Sequence, residues 1–581
     1  MKNMSLKEIA AACGGTYHGD PALLSKEASS VAIDSRKVQK DTLFVAIKGA
    51  RVDGHSFIPQ VMDQGAICSL SEQDLGDVTY PYIQVASCTE ALKDLAEHYR
   101  RSLDIKVVGI SGSVGKTSTK EMIASVLSEK YCVLKTEGNF NNEIGLPLTV
   151  FNLRKEHEVA VLEMGISHFG DMEPLARIAR PDVCVITNIG YAHLENLGTR
   201  DGILKEKTSM FDFMNPDGTV ILNGDDDKLR GYTSERGIQP VYFGLDPACP
   251  FHAEQIQKMG LKGTVATFVT PSSSFSAHVS IPGDHMISNA LAGVAVGYAL
   301  GMKDEEIIRG IEKLVPIAGR NNLIEAEHYT IIDDCYNANP ASMKSSLDVL
   351  AFADTRTVAI LGDMGELGAD EKKMHAEVGS YAVKKGISLL ICIGTLSAEM
   401  ANAARTASEA SSDSDTKTLV YHFDTKEAFY RQMDQLLKEV YGNKLCPTII
   451  PYMEGNITKC YVNLMTGMAF SYDENGKATK VPVPEDSVIE EMTSAFMEAV
   501  ATTDDALMEK FFEGEKFTKE EILKGLCIGI FDGSIYPVYA VSGLTCAGVD
   551  QLLYGLAWSA PGAFGYAGEK CTYENGEEGI L

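Results

Sequence analysis

The segment IKVVGISGSVGKTSTKE, residues 105–121, decides the fold of the central part of this chain. Its opening run, Ile105 to Ile110, is mostly apolar and rich in β-branched residues, which predicts a buried strand. A turn rich in glycine and serine follows, and a run of helix-forming residues begins at Lys116. The segment therefore predicts a strand, a glycine-rich turn and a helix in direct succession.

The turn has the properties of an anion-binding loop. Its glycines, with Gly109 counted among them, allow backbone amides to approach a phosphate, and the helix N-terminus adds positive potential. Lys116 is long enough to reach outer phosphates, and the hydroxyl of Thr117 suits a magnesium ion. The residues predicted to bind the nucleotide here are Gly112, Gly115, Lys116, Thr117 and Ser118.

The spacing departs from the common pattern GxxxxGK[ST]. Ile110 stands where the first glycine belongs, and Gly109 lies one residue earlier. The alternative interpretation is a loop that only connects the strand to the helix. A phosphate loop by itself indicates only that a nucleoside triphosphate is bound, because kinases, GTPases, helicases and ligases share it.

Strands and helices alternate along most of the chain. Short apolar stretches at Thr42 to Ile47 and Tyr82 to Val85 predict a small α/β domain near the N-terminus. Further buried strands are predicted at Val159 to Leu162, Asp182 to Ile186 and Thr219 to Leu222. Together with the strand at 105–110 they predict a parallel sheet with helices on both faces.

A second α/β series follows Arg320 and predicts a smaller domain of the nucleotide-binding type. Its strands are predicted at Tyr329 to Ile332, Thr357 to Leu361 and Ser388 to Ile393. The stretch Thr406 to Thr416, rich in Ser, Ala and Asp, predicts a polar surface loop.

Composition narrows the classes of partner. Acidic residues outnumber basic ones, 80 against 52, and the formal net charge of -28 disfavours nucleic acids and anionic membranes as partners.

The thirteen cysteines are scattered without a CxxC pair, which predicts neither a disulfide framework nor a zinc site. No signal-peptide pattern and no long apolar run is present, so we expect a soluble, cytoplasmic protein.

Motifs beyond the loop identify a family. They are TEGNFNNEIGLP (136–147), LEMGISHFGDM (162–172), TNIGYAHLENLG (187–198), GDHMISNALA (283–292), AGRNN (318–322), DDCYNANPASM (333–343) and LGDMGELG (361–368). From about residue 4 to about residue 430, in order and spacing, the chain resembles the Mur ligases. YNANP and LGDMGELG resemble the branch that adds D-alanyl-D-alanine.

The resemblance implies a three-domain α/β fold. We expect a small UDP-binding domain at 1–99, a central ATP-binding parallel-sheet domain at 100–316 and an incomplete Rossmann-like domain at 317–435. The family's ligases use ATP to phosphorylate the terminal carboxylate of a UDP-N-acetylmuramoyl-tripeptide, and the amine of D-alanyl-D-alanine displaces the phosphate. The resemblance further implies a monomer that needs ATP and Mg²⁺.

The resemblance assigns catalytic and metal-binding roles. Lys116, Glu163, His193 and Lys207 are the predicted catalytic residues, and Thr117, Glu163, His193 and a carbamylated Lys207 the predicted metal ligands. The alternatives are a capping or solvated carboxylate for Glu163, a loop histidine for His193 and a solvated helix lysine for Lys207. Lys205, close in sequence, is another match for the family's lysine.

The same resemblance assigns the substrate contacts. Besides the loop, the predicted ATP contacts are His285, Asn289, Arg320, Asp333, Tyr336 and Asn337. The predicted contacts to the UDP-linked peptide are Ser35, Arg36, Asn139, Asn141, Asn142 and Asn339. Hydrogen-bonded turns are the alternative role for Asn337, Asn339 and the Asp-Ser-Arg stretch at 34–36.

The tail, residues 436–581, departs from the ligase pattern. The KGSRxMxxE-like segment that should follow residue 435 is absent. Segments 441–452, 461–484, 501–522 and 533–553 instead resemble the insert and closing elements of the elongation factor G GTPase domain, which implies an α+β module. Ser542-Gly543 resembles that family's guanine-side turn, but the tail lacks its nucleotide-binding motifs. Thr518 and Glu521 predict a capping box.

Two interpretations of the whole chain stay open. One is an active ligase that carries a foreign C-terminal module. The other is an inactive chimera, or a non-catalytic binding protein whose tail contacts the ribosome or another partner. The phosphate-loop lysine and the acidic residues favour the enzyme.

Overall fold

The computed structural model describes residues 4–49, 52–233, 237–325, 329–410, 417–430, 432, 444–454, 457–473, 476–541, 547–559, 570–572 and 578–580. The chain divides into two compact units, residues 1–422 and 423–581. The junction expected at residue 435 lies outside the described residues.

A five-stranded sheet forms the N-terminal part of the first unit. In sheet order its strands are Thr16–His18, Tyr82–Gln84, Cys68–Ser71, Thr42–Val45 and Ser30–Ala32, and only the first pair is antiparallel. Its helices are Leu6–Ala12, Ile58–Asp63 and Cys88–Arg101, with 3-10 turns at Pro21–Ser25, Ser35–Lys37 and Gly54–Phe57. The strands predicted near residues 42 and 82 are confirmed.

A nine-stranded sheet forms the central part of the first unit. In sheet order its strands are Ser274–Val279, Thr264–Val269, Phe251–Lys258, Val241–Gly244, Thr219–Asn223, Val183–Ile186, Lys106–Ser111, Val159–Glu163 and Val133–Lys135. The predicted parallel sheet is confirmed from Val133 to Phe251, but the two strands after Lys258 run antiparallel. Short connections allow that, because antiparallel neighbours need no crossover helix.

The strand Lys106–Ser111 lies between two parallel neighbours inside this sheet and is buried from Val107 onward. Gly109 lies inside the strand, where an added Cβ would stand 2.5 Å from the Met164 Cε atom and 2.9 Å from the Pro181 Cγ atom. The predicted place of Gly109 in the anion-binding turn is therefore wrong. Its lack of a side chain serves close packing instead.

Helices cover both faces of the central sheet. They are Lys116–Leu127, Gly145–Val150, Met172–Ala179, Leu194–Leu197, Arg200–Thr208, Asp284–Ala299 and Asp304–Glu312, with 3-10 turns at Ser209–Phe213 and Gly260–Lys262. The helix that begins at Lys116 packs on both Asp284–Ala299 and Asp304–Glu312 in one continuous apolar core. This packing fixes the helix whose first turn faces the loop.

The last part of the first unit carries a smaller parallel sheet. Its strands are Val358–Gly362, Leu389–Ile393 and Leu419–Phe423, and its helices are Pro340–Leu350, Glu371–Lys384 and Ser397–Ala410, with a 3-10 turn at Gly368–Asp370. The strand predicted at Tyr329 to Ile332 is confirmed as Thr330–Asp333, which pairs antiparallel with Asn322–Glu325 outside the three-stranded sheet. Residues 406–410, predicted as loop, end a helix whose buried positions are spaced one turn apart, and 411–416 lie outside the described residues.

The second unit is an α+β module. Its sheet has the order Ala478–Val481, Met468–Tyr472, Ile457–Asn463, Leu445–Glu454 and Tyr536–Tyr539, and Lys570–Thr572 pairs with Glu578–Ile580. Its helices are Ser487–Ala501, Asp505–Phe512, Lys519–Phe531 and Val549–Ser559. The Thr518–Glu521 capping box is confirmed, whereas Ser542-Gly543 lies outside the described residues. In the described parts of both units, every helix is too short or too polar to span a membrane.

The tight contact between helices Lys116–Leu127 and Asp304–Glu312 predicts an effect on stability. We expect Gly310→Ala to lower the free energy of unfolding of the first unit by about 1–3 kcal/mol, because the new Cβ would overlap the backbone of Val126. The matched control is Gly293→Ala, whose Cβ would stand 3.2 Å from the flexible Met122 Cγ atom. Chemical denaturation should separate the two variants, and equal stability would contradict this description of the contact.

Candidate functional site

The glycine-rich turn is held open by neighbouring side chains. Gly112 has φ +155° and Gly115 φ +81°, and a Cβ on Gly112 would overlap the Thr187 hydroxyl. Asn188 accepts the Val114 amide at its side-chain oxygen, 2.9 Å away, and the Ser113 amide at its carbonyl, 3.1 Å away. The amides of the first helical turn, from Lys116, have no partner within the helix and are suited to an anion.

Lys116 lies inside the turn rather than in solvent. Its Nζ donates to the carbonyl oxygen of Gly112 at 2.8 Å. Burial lowers the pKa of Lys116 below its usual value, the charge of Glu163 opposes that shift, and Arg320 adds to it. The ammonium group is therefore held at the loop, with a nearby carboxylate as its counter-charge.

Glu163 and His193 follow the two strands that flank the loop strand. Glu163 ends the strand Val159–Glu163 and lies opposite Ile110 in register, and His193 follows the strand Val183–Ile186. Because carboxyl ends of parallel strands share one edge of a sheet, both residues lie at the edge where the loop begins.

Glu163 is a buried carboxylate with one satisfied oxygen. Only 2% of the residue is exposed, and its Oε1 accepts a hydrogen bond of 2.8 Å from the Asn141 amide. Its Oε2 is buried without a hydrogen-bond partner among the described residues, and the Lys120 Nζ atom lies 3.9 Å away. A buried carboxylate oxygen without a donor is costly unless a cation or ligand meets it.

Lys207 is fully buried, whereas Lys205 is exposed. In the part of the chain that the structure describes, the Nζ of Lys207 has no hydrogen-bond partner. Burial, reinforced by repulsion from Lys116, holds the pKa of Lys207 well below that of a solvated lysine. Of the two lysines that the sequence offered for this role, only Lys207 has the environment that makes an amine neutral and reactive.

His193 meets a residue from the last part of the first unit. Its Nδ1 lies 2.7 Å from Oε2 of Glu366, although the angle is outside hydrogen-bond geometry. Burial lowers the pKa of His193, the carboxylate of Glu366 opposes this, and Lys116 and Lys207 reinforce it. The imidazole is therefore favoured in its neutral form. Within the described ranges, no three His, Cys, Asp or Glu side chains form a cluster suited to a metal.

A cavity of about 450 Å³ lies between the central sheet and the last part of the first unit. Among its lining residues are six of those predicted to bind substrates: Gly115, Ser118, His285, Asn289, Arg320 and Asn339. Thr117, which is buried, and Lys116 adjoin it at the start of the helix. The structure thus brings the loop and the predicted adenine-side residues to one cavity.

Several lining residues also hold the cavity together. The His285 Nδ1 atom lies 2.8 Å from the Ser345 hydroxyl, and burial lowers the pKa of His285. Asn289 accepts the Thr119 hydroxyl at 2.8 Å. The guanidinium of Arg320 stacks on the Tyr336 ring, 4.1 Å from its centroid.

Asp333, Tyr336 and Asn337 are not among the residues that line the cavity. Asp333 accepts the Gly319 amide at 2.8 Å and the Cys335 thiol at 3.0 Å, while its neighbour Asp334 lines the cavity. Tyr336 and Asn337 are exposed. Asn339 lines the cavity but also caps the helix Pro340–Leu350, accepting two amides at 3.0 Å each.

The predicted contacts to the UDP-linked peptide lie in two places. Arg36 is exposed and forms a bidentate pair with Asp34, whose pKa those hydrogen bonds lower to about 2. Asn142 caps the start of the helix Gly145–Val150 through a 2.8 Å bond to the Gly145 amide. Asn141 reaches Glu163, Asn139 is exposed, and Ser35 begins a 3-10 turn.

Three residues at the site were not predicted from the sequence. They are Lys120, whose buried Nζ donates to the Thr136 carbonyl at 2.6 Å, Asn188, which shapes the turn, and Glu366, which meets His193. All three lie in quoted segments, 105–121, 187–198 and 361–368. The signal that could have found Lys120 is its position one helical turn after Lys116, on the side that faces the sheet.

Three family models match successive parts of the chain, in the order of the N-terminal sheet, the central sheet and the smaller sheet. The Mur ligase family catalytic domain model matches residues 27–100, the Mur ligase middle domain 110–297, and the Mur ligase glutamate ligase domain 319–440. The fold of the first unit is that of these three-domain ligases.

Curated relatives and solved structures agree with these models. The UDP-N-acetylmuramoyl-tripeptide--D-alanyl-D-alanine ligase of Bacillus subtilis is 35% identical over 415 residues, covering 70% of this chain and 88% of the relative. The Escherichia coli ligase of that name is 33% identical over 442 residues, covering 76% and 94%.

Two MurF crystal structures share this fold. MurF from Acinetobacter baumannii matches with a TM-score of 0.68 and 31% identity over 75% of this chain and 93% of that chain. MurF from Thermotoga maritima in complex with ADP matches with a TM-score of 0.60 and 28% identity over 71% and 97%. The chain therefore belongs to the Mur ligase family.

Proposed function

We propose that this chain is an ATP-dependent, ADP-forming ligase that joins D-alanyl-D-alanine to UDP-N-acetylmuramoyl-tripeptide in the synthesis of peptidoglycan precursors. The observation that carries the proposal is the anion-binding turn with Lys116 beside the buried carboxylate Glu163. The curated relatives named for this reaction match the chain over 88% and 94% of their own lengths.

The chemistry requires negative charge to be stabilised twice. A carboxylate oxygen of the tripeptide bonds to the γ-phosphorus of ATP as ADP leaves, and the amine then attacks the activated carbonyl as phosphate leaves. Oxygens gain charge in both steps. The first-turn amides and Lys116 are placed where they can bind such oxygens, and fixed dipoles of this kind need no reorganisation during the reaction.

The buried groups beside the loop fit Mg²⁺. The Glu163 Oε2 atom has no donor among the described residues, and a carboxylate oxygen is a ligand that Mg²⁺ favours. Glu163, His193 and the Thr117 hydroxyl would hold the ion together with Lys207 as a carbamate. A bound Mg²⁺ would neutralise charge on the phosphate oxygens.

Carbamylation would remove the unfavourable interaction between the buried amine of Lys207 and Lys116. A neutral amine can add carbon dioxide, and the lowered pKa of Lys207 keeps a larger neutral fraction near pH 7 than a solvated lysine has. The product is an anion, so the repulsion between Lys207 and Lys116 becomes an attraction.

The cavity would hold the nucleotide base and ribose. His285, Asn289 and Arg320 line it, and Arg320 comes from the segment that links the central sheet to the last part of the unit. We propose that closure of that part over ATP excludes water, which would otherwise hydrolyse the acyl phosphate. Asp333, Tyr336 and Asn337 would then act by shaping this linking segment.

The peptide substrate would approach from the N-terminal part. Arg36 is exposed, and exchange of its pairing with Asp34 for the diphosphate would keep a bidentate contact. Ser35, Asn139, Asn142 and Asn339 would supply polar contacts, and Asn141 would orient Glu163. We further propose that the protein acts as a monomer in the cytoplasm, where UDP-linked precursors and ATP are available.

The reaction predicts a double substrate requirement. We expect phosphate release from ATP at a high rate only when UDP-N-acetylmuramoyl-tripeptide and D-alanyl-D-alanine are both present, because the dipeptide amine completes the turnover. A coupled phosphate assay checks this. Co-sedimentation with ribosomes in the absence of any such turnover would instead support the binding-protein hypothesis.

Loss of the loop lysine predicts loss of ligation without loss of fold. We expect Lys116→Ala to lower kcat by about 100-fold or more, because the γ-phosphate loses its main cationic contact. The exposed Lys130 gives a matched control, Lys130→Ala, with turnover near that of the unaltered protein. Normal turnover of Lys116→Ala, with an unchanged circular dichroism spectrum, would contradict the role of the loop.

The carbamate hypothesis predicts chemical rescue. We expect Lys207→Ala to lose ligation by about 10- to 100-fold and to regain part of it with added formate or acetate, because a small carboxylate can replace the carbamate. Lys205→Ala, at an exposed position of the same helix, is the control and should stay active. Full activity of Lys207→Ala without any added carboxylate would exclude this role.

A further inference from the structure

Glu366 and His193 face each other at the contact between the central sheet and the last part of the first unit. His193 follows a strand of the central sheet, and Glu366 follows the strand Val358–Gly362 of the smaller sheet. The 3-10 turn Gly368–Asp370 lies against the short helix Leu194–Leu197, so the two segments are in contact over more than one residue. The pair is therefore part of the surface where the last part of the first unit docks on the central sheet.

Both residues have an unusual backbone. His193 has φ +61° and Glu366 has φ +59°, in the left-handed region that side chains other than glycine rarely adopt. Strained backbone of this kind persists only where the surroundings impose it, and it concentrates at functional sites. Here the two strained residues direct their side chains at one another, because the Nδ1 and Oε2 atoms are 2.7 Å apart.

The contact between His193 and Glu366 is better suited to orienting the imidazole ring than to stabilising the fold. The side chain of His193 is 24% exposed and that of Glu366 is 58% exposed. An ion pair so open to solvent contributes little to folding. The imidazole torsion is soft, so a modest rotation of the ring can align Nδ1 with the carboxylate. The described residues offer no hydrogen bond to the other ring nitrogen, Nε2, which is left for a ligand.

We propose that Glu366 is a positioning residue, which holds the imidazole of His193 with Nδ1–H toward the carboxylate and Nε2 available to the metal ion. The inference rests on the proposed function, in which His193 is a metal ligand. Metal-binding histidines commonly donate their second ring nitrogen to a carboxylate, which fixes the tautomer and the ring orientation.

Glu366 and His193 belong to different sheets, so their pairing depends on how these sheets are docked. The carboxylate reaches His193 only when the smaller sheet is docked on the central one, so the metal site is complete only in the docked arrangement. By reciprocity, metal binding then favours docking to the same degree that docking favours metal binding. The site would thereby assemble around ATP and Mg²⁺ only when the cavity is closed.

Nucleotide binding with and without Mg²⁺ tests the proposal. A non-hydrolysable ATP analogue is titrated calorimetrically into the full chain and into Glu366→Ala, Glu366→Gln and the control Glu195→Gln, which removes an exposed charge beside His193. We expect Glu366→Ala to weaken binding about tenfold in Mg²⁺ and to leave it unchanged in EDTA. Glu366→Gln should fall between, because its amide oxygen still accepts Nδ1–H, and Glu195→Gln should match the unaltered protein.

The tautomer of His193 provides a second readout. In protein with ¹⁵N-labelled histidine, His193 is assigned by the signal that His193→Gln removes. We expect the Nδ1–H form in the unaltered protein and a mixture weighted toward Nε2–H in Glu366→Ala. A purely structural role for Glu366 would leave this signature unmoved.

The outcomes separate this inference from the proposed function. Equal Mg²⁺-dependent affinity and an unchanged tautomer in Glu366→Ala would overturn the positioning role, as would an equal loss in Glu195→Gln, even if the protein ligates normally. An unaltered protein that binds the analogue equally with and without Mg²⁺ would overturn both. The expected loss in Mg²⁺ together with absent ligation would uphold the positioning role and refute the proposed reaction.

Discussion

Charge buried beside the turn at 112–117 is the constraint on which the rest of the structure depends. Burial lowers the pKa of Lys116 against the opposing charge of Glu163, and burial together with the charge of Lys116 lowers the pKa of Lys207. Glu163 and Lys207 each carry a buried atom with no hydrogen-bond partner among the described residues. Such atoms destabilise a fold by a few kcal/mol each. Under the proposed function, the phosphates of ATP and a metal cation would complete the charge balance at this place.

The parallel sheet explains how the chain assembles this receptor. Adjacent parallel strands deliver the loop, Glu163 and His193 to one edge, and helix packing behind Lys116 fixes the first-turn amides. The smaller sheet approaches the same edge and brings Glu366 there, while the segment that links the two sheets adds Arg320. Ligation with an unstable acyl phosphate needs such a two-sided site, because one side must bind ATP and the other must exclude water.

The sequence predicted the positions of the strands better than it predicted which other parts of the chain they contact. Buried strands, and the strand, turn and helix at 105–121, have strong local signals, so their positions were confirmed to within one or two residues. Gly109 was misplaced because strand packing and phosphate binding both select glycine. The strand at 330 was confirmed, but its pairing with Asn322–Glu325 was not predicted, because strand pairing depends on tertiary contacts. Lys207 is distinguished from Lys205 by its burial, which the periodicity of the sequence could not reveal. The role of Glu366 was not predicted, because its partner His193 is far away in sequence. The likeness of the tail to elongation factor G stays a prediction.

One crystallographic measurement tests the central claim most directly: the structure of the full chain with a non-hydrolysable ATP analogue and Mn²⁺ in place of Mg²⁺. The account predicts phosphate density against the amides from Lys116 onward, with Lys116 released from the Gly112 carbonyl. It also predicts an anomalous peak beside Glu163 Oε2. Nucleotide density elsewhere, with the turn empty and Lys116 still bound to Gly112, would contradict it.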